Sequence, residues 1–577
     1  LAEIWKHLLG IELIGIHDSF FALGGHSLLA MQIISRINET FEVEMPLRAL
    51  FETPTIAGLA KKIDMLCQNT ELDAHQLALV KQSGKEIANQ QHIVPRGNVN
   101  RLPMSFAQRR LWFQASLAPA HPFYNIDFAL RFTGVLHLSA LQRSLDYLVE
   151  RHETLRTTFT DSGGELLQII HPAWPQFCSI IDLCLLPADT RTQIARDLAK
   201  EAAHQPFDLV SGPLLRAKVV KLQEQEYMFL LSMHHIITDG WSIGIFAREF
   251  ALLYTAYSAG EQISLPPLTI QYADYARWQQ QWLRDEFLQN QYTYWIQQLQ
   301  GLSPLLHLRT DRSRPPVQTF RGSRYSFSLP ADLKNDIQTF SQSEGMTLFM
   351  VLLTAFAVVI KSLTPQQEFI ITTDVANRYP VQTETLIGFF VNQLPFRISM
   401  VGDPTFAELV TRCREVTLGA YAHQHLPFEM IVEALNPERT LSYSPFSQVK
   451  LVLQNTPGFG LALPGLQANL TTSEKATAQC DLLLNMFEAG ESLEGYMEYN
   501  TDLFNESTIQ GMVADFECVL RSALRAPGLR TGELQQILEE TERQRKKTQQ
   551  EILRNYRSQT LRVKKRSTLD RKKETYE

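Results

Sequence analysis

The chain has 577 residues, 45% hydrophobic and 20% charged, with a formal net charge of -7, so it is too long for one ordinary core and shows no sign of a nucleic-acid binder. No apolar run reaches the length of a membrane span and the first residues carry no signal pattern, which predicts a cytoplasmic protein without a membrane partner. The six cysteines are scattered without metal-ligand or disulfide-framework spacing, so buried free thiols and no metal site are expected.

Residues 1–66 read as a compact bundle of four short helices. Leu1 to Leu9 is amphipathic, Leu29, Ile33, Ile34 and Ile37 share one helical face, and Pro46 and Thr53-Pro54-Thr55 open two further segments. Ser27 begins the second helix just after Gly24-Gly25, where amide donors and the positive end of the helix dipole would stabilise a phosphate. An ordinary N-cap serine is the plainer reading of the same position. Asp18-Ser19-Phe20-Phe21-Ala22-Leu23-Gly24-Gly25-His26-Ser27-Leu28 resembles the DxFFxLGGHSL motif of peptidyl carrier proteins. The resemblance implies that Ser27 bears 4'-phosphopantetheine, installed by a phosphopantetheinyl transferase.

Residues 67–100 turn polar without periodicity and predict a linker that limits the carrier's motion only loosely. A larger unit starts at Arg101. Ser105-Phe106-Ala107-Gln108-Arg109-Arg110-Leu111-Trp112-Phe113 predicts a helix that buries Leu111, Trp112 and Phe113, and Leu141 to Val149 predicts a second, amphipathic one. Arg151-His152-Glu153-Thr154-Leu155-Arg156-Thr157-Thr158-Phe159 reads as a helix end entering a strand.

The chemistry-bearing stretch is Ser232 to Ser242. Tyr227 to Leu231 predict a buried strand, and Phe246, Phe250, Leu253 and Tyr257 predict a helix running up to Gly260. His234 and His235 therefore stand where a strand ends and a helix begins, a rigid place for an imidazole whose pKa suits proton transfer near neutrality. Without its flanks, such a pair reads better as core histidines beside a solvated turn aspartate.

The flanks resemble a known family. His234-His235-Ile236-Ile237-Thr238-Asp239-Gly240 is similar to the HHxxxDG signature of condensation domains in nonribosomal peptide synthetases, relatives of chloramphenicol acetyltransferase. The segments at 105–113 and 151–159 resemble the family's SxAQxRLWF and RHExLRTxF motifs. Tyr272 to Trp278, Ile387 to Arg397, His423 to Glu429 and Arg439 to Val449 resemble four later ones, with His425 in place of a common aspartate, and in a further FDL segment Cys480 stands in place of a common phenylalanine. Phe349 to Ile360 predicts a buried helix and Phe369 to Val375 a strand.

The resemblance implies that His235 is the active-site histidine, acting as base toward an amine or as the group that orients it and relays a proton. His234 would be structural, its ring turned away. Asp239 would hold the loop by pairing with an arginine, Arg151 or Arg156, and the Gly240 amide would be an oxyanion donor. Asn392 would line a tunnel, although a strand-end asparagine bonded to backbone is equally physical.

The implied architecture is multidomain. A carrier bundle (1–66) and linker (67–100) precede an α/β condensation domain whose two acetyltransferase-like lobes (101–268 and 269–528) form a V, and a charged basic tail (529–577) follows, in which Leu534, Ile537, Leu538, Ile552 and Leu553 predict one charged helix and Arg562 to Lys573 a solvated basic run. The implied reaction is amide formation, and the motif pattern points to an L-configured donor joined to an L-configured acceptor. An acceptor amine on a downstream carrier domain attacks an aminoacyl or peptidyl thioester held at Ser27 and loaded by an upstream adenylation domain. An α-amino pKa near 8 leaves about a tenth of the amine neutral at pH 7, so full deprotonation supplies only about 1.4 kcal/mol, and larger gains must come from alignment and charge stabilisation. Two alternatives stand beside this reading: a non-catalytic condensation-like platform that recruits a tailoring enzyme, and an acyl carrier fused to an acetyltransferase that uses soluble acceptors.

Overall fold

The computed structural model describes residues 1–71, 92–97, 99–117, 121–174, 178–438, 440–454, 461–471, 477–548 and 550–551. Most of the expected linker, Arg439, Ile552, Leu553 and the basic run from Arg562 to Lys573 lie outside the described residues.

The amino-terminal unit consists of α1 (Ala2–Leu9), α2 (Ser27–Phe41), α3 (Arg48–Glu52) and α4 (Ile56–Glu71). Ala30, Ile33, Ile34 and Ile37 recur at helical spacing on α2 and are buried with Trp5, Phe20, Leu50 and Leu59. Glycine is required at Gly25, since a Cβ there would lie 2.5 Å from the Phe20 ring and carbonyl. The tight approach sets where α2 begins. α4 runs four residues past Cys67, the expected start of the linker.

The first lobe contains β1 (Arg101–Pro103), α5 (Phe106–Leu117), β2 (Asn125–Gly134), α6 (Leu138–Arg151), β3 (Thr157–Ser162), β4 (Glu165–Ile170), β5 (Cys178–Asp182), α7 (Ala188–His204), β6 (Leu215–Gln223), β7 (Glu226–His234) and α8 (Gly240–Ser258). The second contains α9 (Tyr272–Trp282), α10 (Asp285–Leu299), β8 (Gly322–Leu329), α11 (Ala331–Ser343), α12 (Leu348–Ser362), β9 (Glu368–Val375), β10 (Asn392–Ser399), α13 (Phe406–Ala422), α14 (Phe428–Leu435), β11 (Val449–Gln454), β12 (Leu466–Thr471), β13 (Leu482–Ala489), β14 (Ser492–Asn500) and α15 (Glu506–Arg525).

A five-stranded sheet of order β12-β2-β7-β6-β5 and a six-stranded sheet of order β10-β9-β11-β13-β14-β8 form the two lobes, and β1-β4-β3 make a small third sheet. β12 belongs by sequence to the second half but pairs antiparallel with β2 of the first. A cut at one position therefore does not separate the lobes cleanly. β7 is central in its sheet, flanked by β2 and β6, and every residue from Tyr227 to His234 is buried. That double flank makes its carboxyl end a fixed platform. α12 is buried over most of its length, from Phe349 to Ile360.

Two expectations change. Leu111 of α5 is buried, but Phe113 is 64% exposed. Successive helical residues point about 100° apart, so three in a row cannot share one core. The described end of the linker is anchored rather than loose: Ile93 is buried, and Arg96 pairs with Asp274 (3.2 Å) and Glu153. The charged helix expected in the tail is present over residues 531–548, where it buries Leu534 and Leu538 and bonds to α12 through Gln535 Nε2 and the Val358 carbonyl at 2.8 Å.

The amino-terminal unit sits against the second lobe. Arg48 pairs with Glu415 of α13 (3.2 Å), Arg414 donates to the Phe51 carbonyl (3.3 Å), and Gln424 Nε2 lies 3.3 Å from the Met31 sulfur. Ser27 is buried in this seam.

Candidate active site

The site begins where β7 runs out. His234, its last residue, pairs across the sheet with Asn125. The chain then makes one 3-10 turn, His235–Ile237, and the His235 amide donates to the Tyr124 carbonyl of the neighbouring segment at 2.8 Å. Asp239 follows as the N-cap of α8, its carboxylate accepting the Ser242 amide at 2.8 Å, so the helix start fixes the other end of the turn. Both ends of the histidine turn are held by backbone bonds.

Within it the two imidazoles are set up differently. His234 Nδ1 accepts from the Ile236 amide at 3.1 Å, and its ring packs edge-on against Phe207 and Tyr124. Burial, with a smaller contribution from His235, pulls its pKa down to about 3, so it stays neutral. His235 Nδ1 lies 2.7 Å from the Thr238 carbonyl. A carbonyl only accepts, so Nδ1 carries the proton and Nε2 carries the lone pair. This is the tautomer a proton acceptor needs.

Residues of both lobes surround His235. The Phe389 ring meets its imidazole edge-on, with centroids 4.8 Å apart. The Arg110 guanidinium of α5 lies over Phe389 at 5.6 Å and pairs with Glu429 of α14 at 3.1 Å. Cavities of about 590 Å³, beside Arg312, Arg321 and Asp502, and about 310 Å³, beside Arg216, Leu230 and Ser232, lie elsewhere, and His235 lines neither.

Asp239 is fully buried and its bonds account for it. Oδ1 accepts from the Ser242 amide, from Ser242 Oγ (2.7 Å) and from Arg378 Nη2 (2.7 Å), while Oδ2 accepts from the Phe390 amide at 3.0 Å. The partner arginine is thus Arg378, which follows β9, and neither Arg151 nor Arg156. Arg151 pairs with Glu249 at 3.2 Å, an acid that also binds His152. Arg156 donates to the His171 carbonyl and lies 3.7 Å from Glu153. Both expected arginines sit at the end of α6 and just after it, where nearer acids take their charge.

Asn392, at the start of β10, donates to the carbonyls of Gln424 and Leu426 (both 2.8 Å) and accepts from the Phe428 amide at 3.1 Å. Of its two readings, the backbone-bonded asparagine is the one seen. It straps the segment that carries His425. That ring lies among Trp282, Phe287 and Tyr379, and burial, then the nearby His423, takes its pKa down to about 4. Gly240 is the first residue of α8 and exposed, and an amide in a first helical turn has no partner within its own helix.

Ser27 lies apart from this cluster. The N-cap role falls to His26, whose Nδ1 accepts the Leu29 amide at 3.4 Å, so Ser27 is the first helical residue and not the cap. Its Oγ is 3.5 Å from Oγ1 of Thr347, the N-cap of α12, and its side chain also bonds to the Tyr421 phenol. First-turn amides and two hydroxyls around one serine oxygen suit a phosphate ester, so the residues present fit the expected group.

Residues 98–545 match the family model described as a condensation domain, and residues 1–63 match that described as a phosphopantetheine attachment site. The chain belongs to the condensation-domain family, with a carrier domain at its amino end. It is 44% identical over 91% of its length to one of the linear gramicidin synthase proteins of Brevibacillus parabrevis, and 36% identical over 94% to tyrocidine synthase 3 of the same organism. These matches cover 10% and 8% of those relatives, so the chain spans about a tenth of their length or less. Among solved structures, the X-domain from teicoplanin biosynthesis superposes with a TM-score of 0.70 at 28% identity, over 77% of this chain and 99% of that one.

Two residues of this cluster escaped sequence reasoning: Arg378 and Ser242. Arg378 is separated from Asp239 by 139 positions. The one local signal is Asn377, which adopts φ 49 two residues after β9 and turns the chain just before Arg378.

Replacing His235 with Ala should reduce amide formation by about 100-fold or more, and His234→Ala by much less, as single-turnover rates will measure; equal losses would refute the division of roles. Asp239→Ala leaves Arg378 buried without its counter-ion and should cost about 3–5 kcal/mol, read as lost thermal stability or soluble yield. A well-folded, inactive Asp239→Ala chain would instead make the carboxylate a chemical participant. His234 and His425 have folded pKa values of about 3 and about 4 against 6.5 for the model imidazole. The unfolded chain therefore binds more protons below pH 6.5, and stability falls as pH drops from there towards about 4. His425→Gln should flatten that fall in a melting-temperature series.

Proposed function

We propose that the chain forms peptide bonds. The condensation domain promotes attack of an acceptor amine, presented by a downstream carrier domain, on an aminoacyl or peptidyl thioester carried at Ser27. The supporting observation is the 2.7 Å contact between His235 Nδ1 and the Thr238 carbonyl, which in the neutral ring sets the proton on Nδ1 and the accepting lone pair on Nε2. Held so, His235 receives the amine's proton or aligns its lone pair while another base takes it. Phosphopantetheine on Ser27 would supply the donor as a thioester, already activated, so this step needs no nucleotide.

The remaining roles belong to this chain's own side chains and amides. Asp239 is fully buried and accepts four hydrogen bonds, one of them from a guanidinium, so its oxygens are committed to the protein. Its work is to hold the α8 start and, through it, the turn carrying His235. The exposed Gly240 amide at the start of α8 is positioned, by helix polarity, to stabilise negative charge on a carbonyl oxygen. His234 stays neutral and structural.

In this reading residues 1–66 are the donor carrier, 67–100 the connection, and 101–268 and 269–528 the two lobes, with the access tunnel running between them to His235. An upstream adenylation domain loads the carrier and a phosphopantetheinyl transferase modifies it. The reading places the protein in the cytoplasm, in keeping with six cysteines that are all unpaired; among the described residues no single helix is long and apolar enough to cross a membrane. The non-catalytic platform is not favoured, because the histidine turn is intact and His235 Nδ1 is bonded to the Thr238 carbonyl.

The test has two steps. Intact-mass measurement after treatment with a phosphopantetheinyl transferase should show one added group on the wild-type chain and none on Ser27→Ala. Loading with an aminoacyl group and adding an aminoacylated acceptor carrier should then yield dipeptidyl product on the acceptor. Absence of product with both carriers fully loaded would refute catalysis, and product with a free amine alone would favour the acetyltransferase-like alternative.

A further inference from the structure

The 3-10 turn Val381–Thr385 touches four separate parts of the molecule. The Glu384 carboxylate receives two side chains of α2 in the carrier, Gln32 Nε2 at 2.8 Å and Arg36 Nη2 at 3.1 Å. This ion pair is largely buried, with 22% and 13% of the two side chains exposed. Gln382 bonds the anchored end of the connecting segment, its Oε1 accepting the Ile93 amide at 3.0 Å and its Nε2 donating to the Ile93 carbonyl at 3.3 Å.

The inner side of the same turn faces the catalytic machinery. The Glu384 carbonyl accepts Trp241 Nε1 at 2.9 Å, and Trp241 is the second residue of α8. The Thr383 carbonyl accepts Arg378 Nη1 at 2.9 Å, and the Leu386 carbonyl just beyond the turn accepts it as well. Through Nη2 the same guanidinium holds Asp239 and Ser242. Five residues thus receive the carrier on one side and grip the Arg378–Asp239 pair on the other.

We propose that Glu384 is a positioning residue which couples donor-carrier docking to the order of the histidine turn. When Arg36 and Gln32 seat on its carboxylate, the backbone of 381–386 is fixed, and the carbonyls that hold Trp241 and Arg378 are fixed with it. When the carrier leaves, an acidic side chain on a short turn loses its cation, and the grip on the α8 start loosens. The catalytic turn is then best ordered when a donor is in place. The proposal rests on the peptide-forming reading for its purpose, but its test does not depend on turnover.

Hydrogen exchange on the full-length chain decides it. Arg36→Glu places two carboxylates together and should speed exchange about tenfold or more in α2, in 381–388 and in 239–243, as expected when a local opening costs less free energy. Arg36→Gln, a milder change that keeps the carrier's fold, should do the same to a smaller degree. Combining Arg36→Glu with Glu384→Arg reverses the pair and should restore protection in all three regions together with the single-turnover rate of a loaded Ser27 donor. Faster exchange confined to α2 would overturn the coupling, and unchanged exchange everywhere would overturn the docking role of Glu384. If the wild-type chain makes no amide while the exchange pattern holds, the peptide-forming reading fails and the coupling stands.

Discussion

One buried ion pair organises the active site. Asp239 and Arg378 are almost completely withdrawn from water, at 0% and 3% side-chain exposure, and removing two charges from water costs several kcal/mol before any attraction is counted. The cost is offset because the carboxylate accepts four bonds and the guanidinium donates four from Nη1 and Nη2 while stacking on the Phe390 ring at 3.8 Å. The partners come from different parts of the chain, α8 of the first lobe and residues 378–390 of the second. A pair so placed contributes less to net stability than to register. It admits one arrangement of α8 against the second lobe, and departures leave a charge buried alone.

The position of His235 follows from that register. The turn that carries it is short, pinned at one end by the central strand β7 and at the other by the capped start of α8. Moving α8 would move the Thr238 carbonyl, and with it the acceptor that keeps the proton on Nδ1. Protonation chemistry at Nε2 is therefore governed by an ion pair that acts on the imidazole through the intervening backbone. Ser242 extends the same constraint across the lobes: its hydroxyl oxygen, whose proton goes to Asp239, accepts the Gly388 amide at 3.0 Å. Gly388 itself has no room for a side chain, since a Cβ would lie 1.9 Å from the Tyr272 ring.

Local features of this arrangement were legible in the sequence, and long-range ones were not. The β7–turn–α8 unit is announced by an apolar run, a histidine pair and a helical repeat within about thirty residues, because strand and helix periodicities are local properties. The carrier bundle and the buried helix over Phe349 to Ile360 are readable for the same reason. The partner of Asp239 was not. Arg151 and Arg156 are attractive in sequence because they lie in a charged motif, but Glu249, Glu153 and the His171 carbonyl are nearer in space and absorb them. Which arginine reaches a buried acid depends on how two lobes meet, and no local pattern encodes that. The crossing of β12 onto β2 is hidden likewise: a six-residue strand does not advertise which sheet it will join.

Two dipeptides show how the chain separates support from chemistry. At His26-Ser27 the first residue caps α2, accepting the Leu29 amide, so the hydroxyl of the second is not spent on the helix and turns instead to the α12 start. At His234-His235 the first ring accepts the Ile236 amide and closes the strand end, held neutral by burial, while the second bonds the carbonyl that selects its tautomer. Asp239-Gly240 repeats the pattern, a saturated carboxylate beside an amide at the mouth of a helix. In each case a residue that is fully engaged fixes the backbone of its neighbour. A substitution in the supporting member thus acts by moving its neighbour, which is why the two members of each pair are separable by measuring fold and reaction independently.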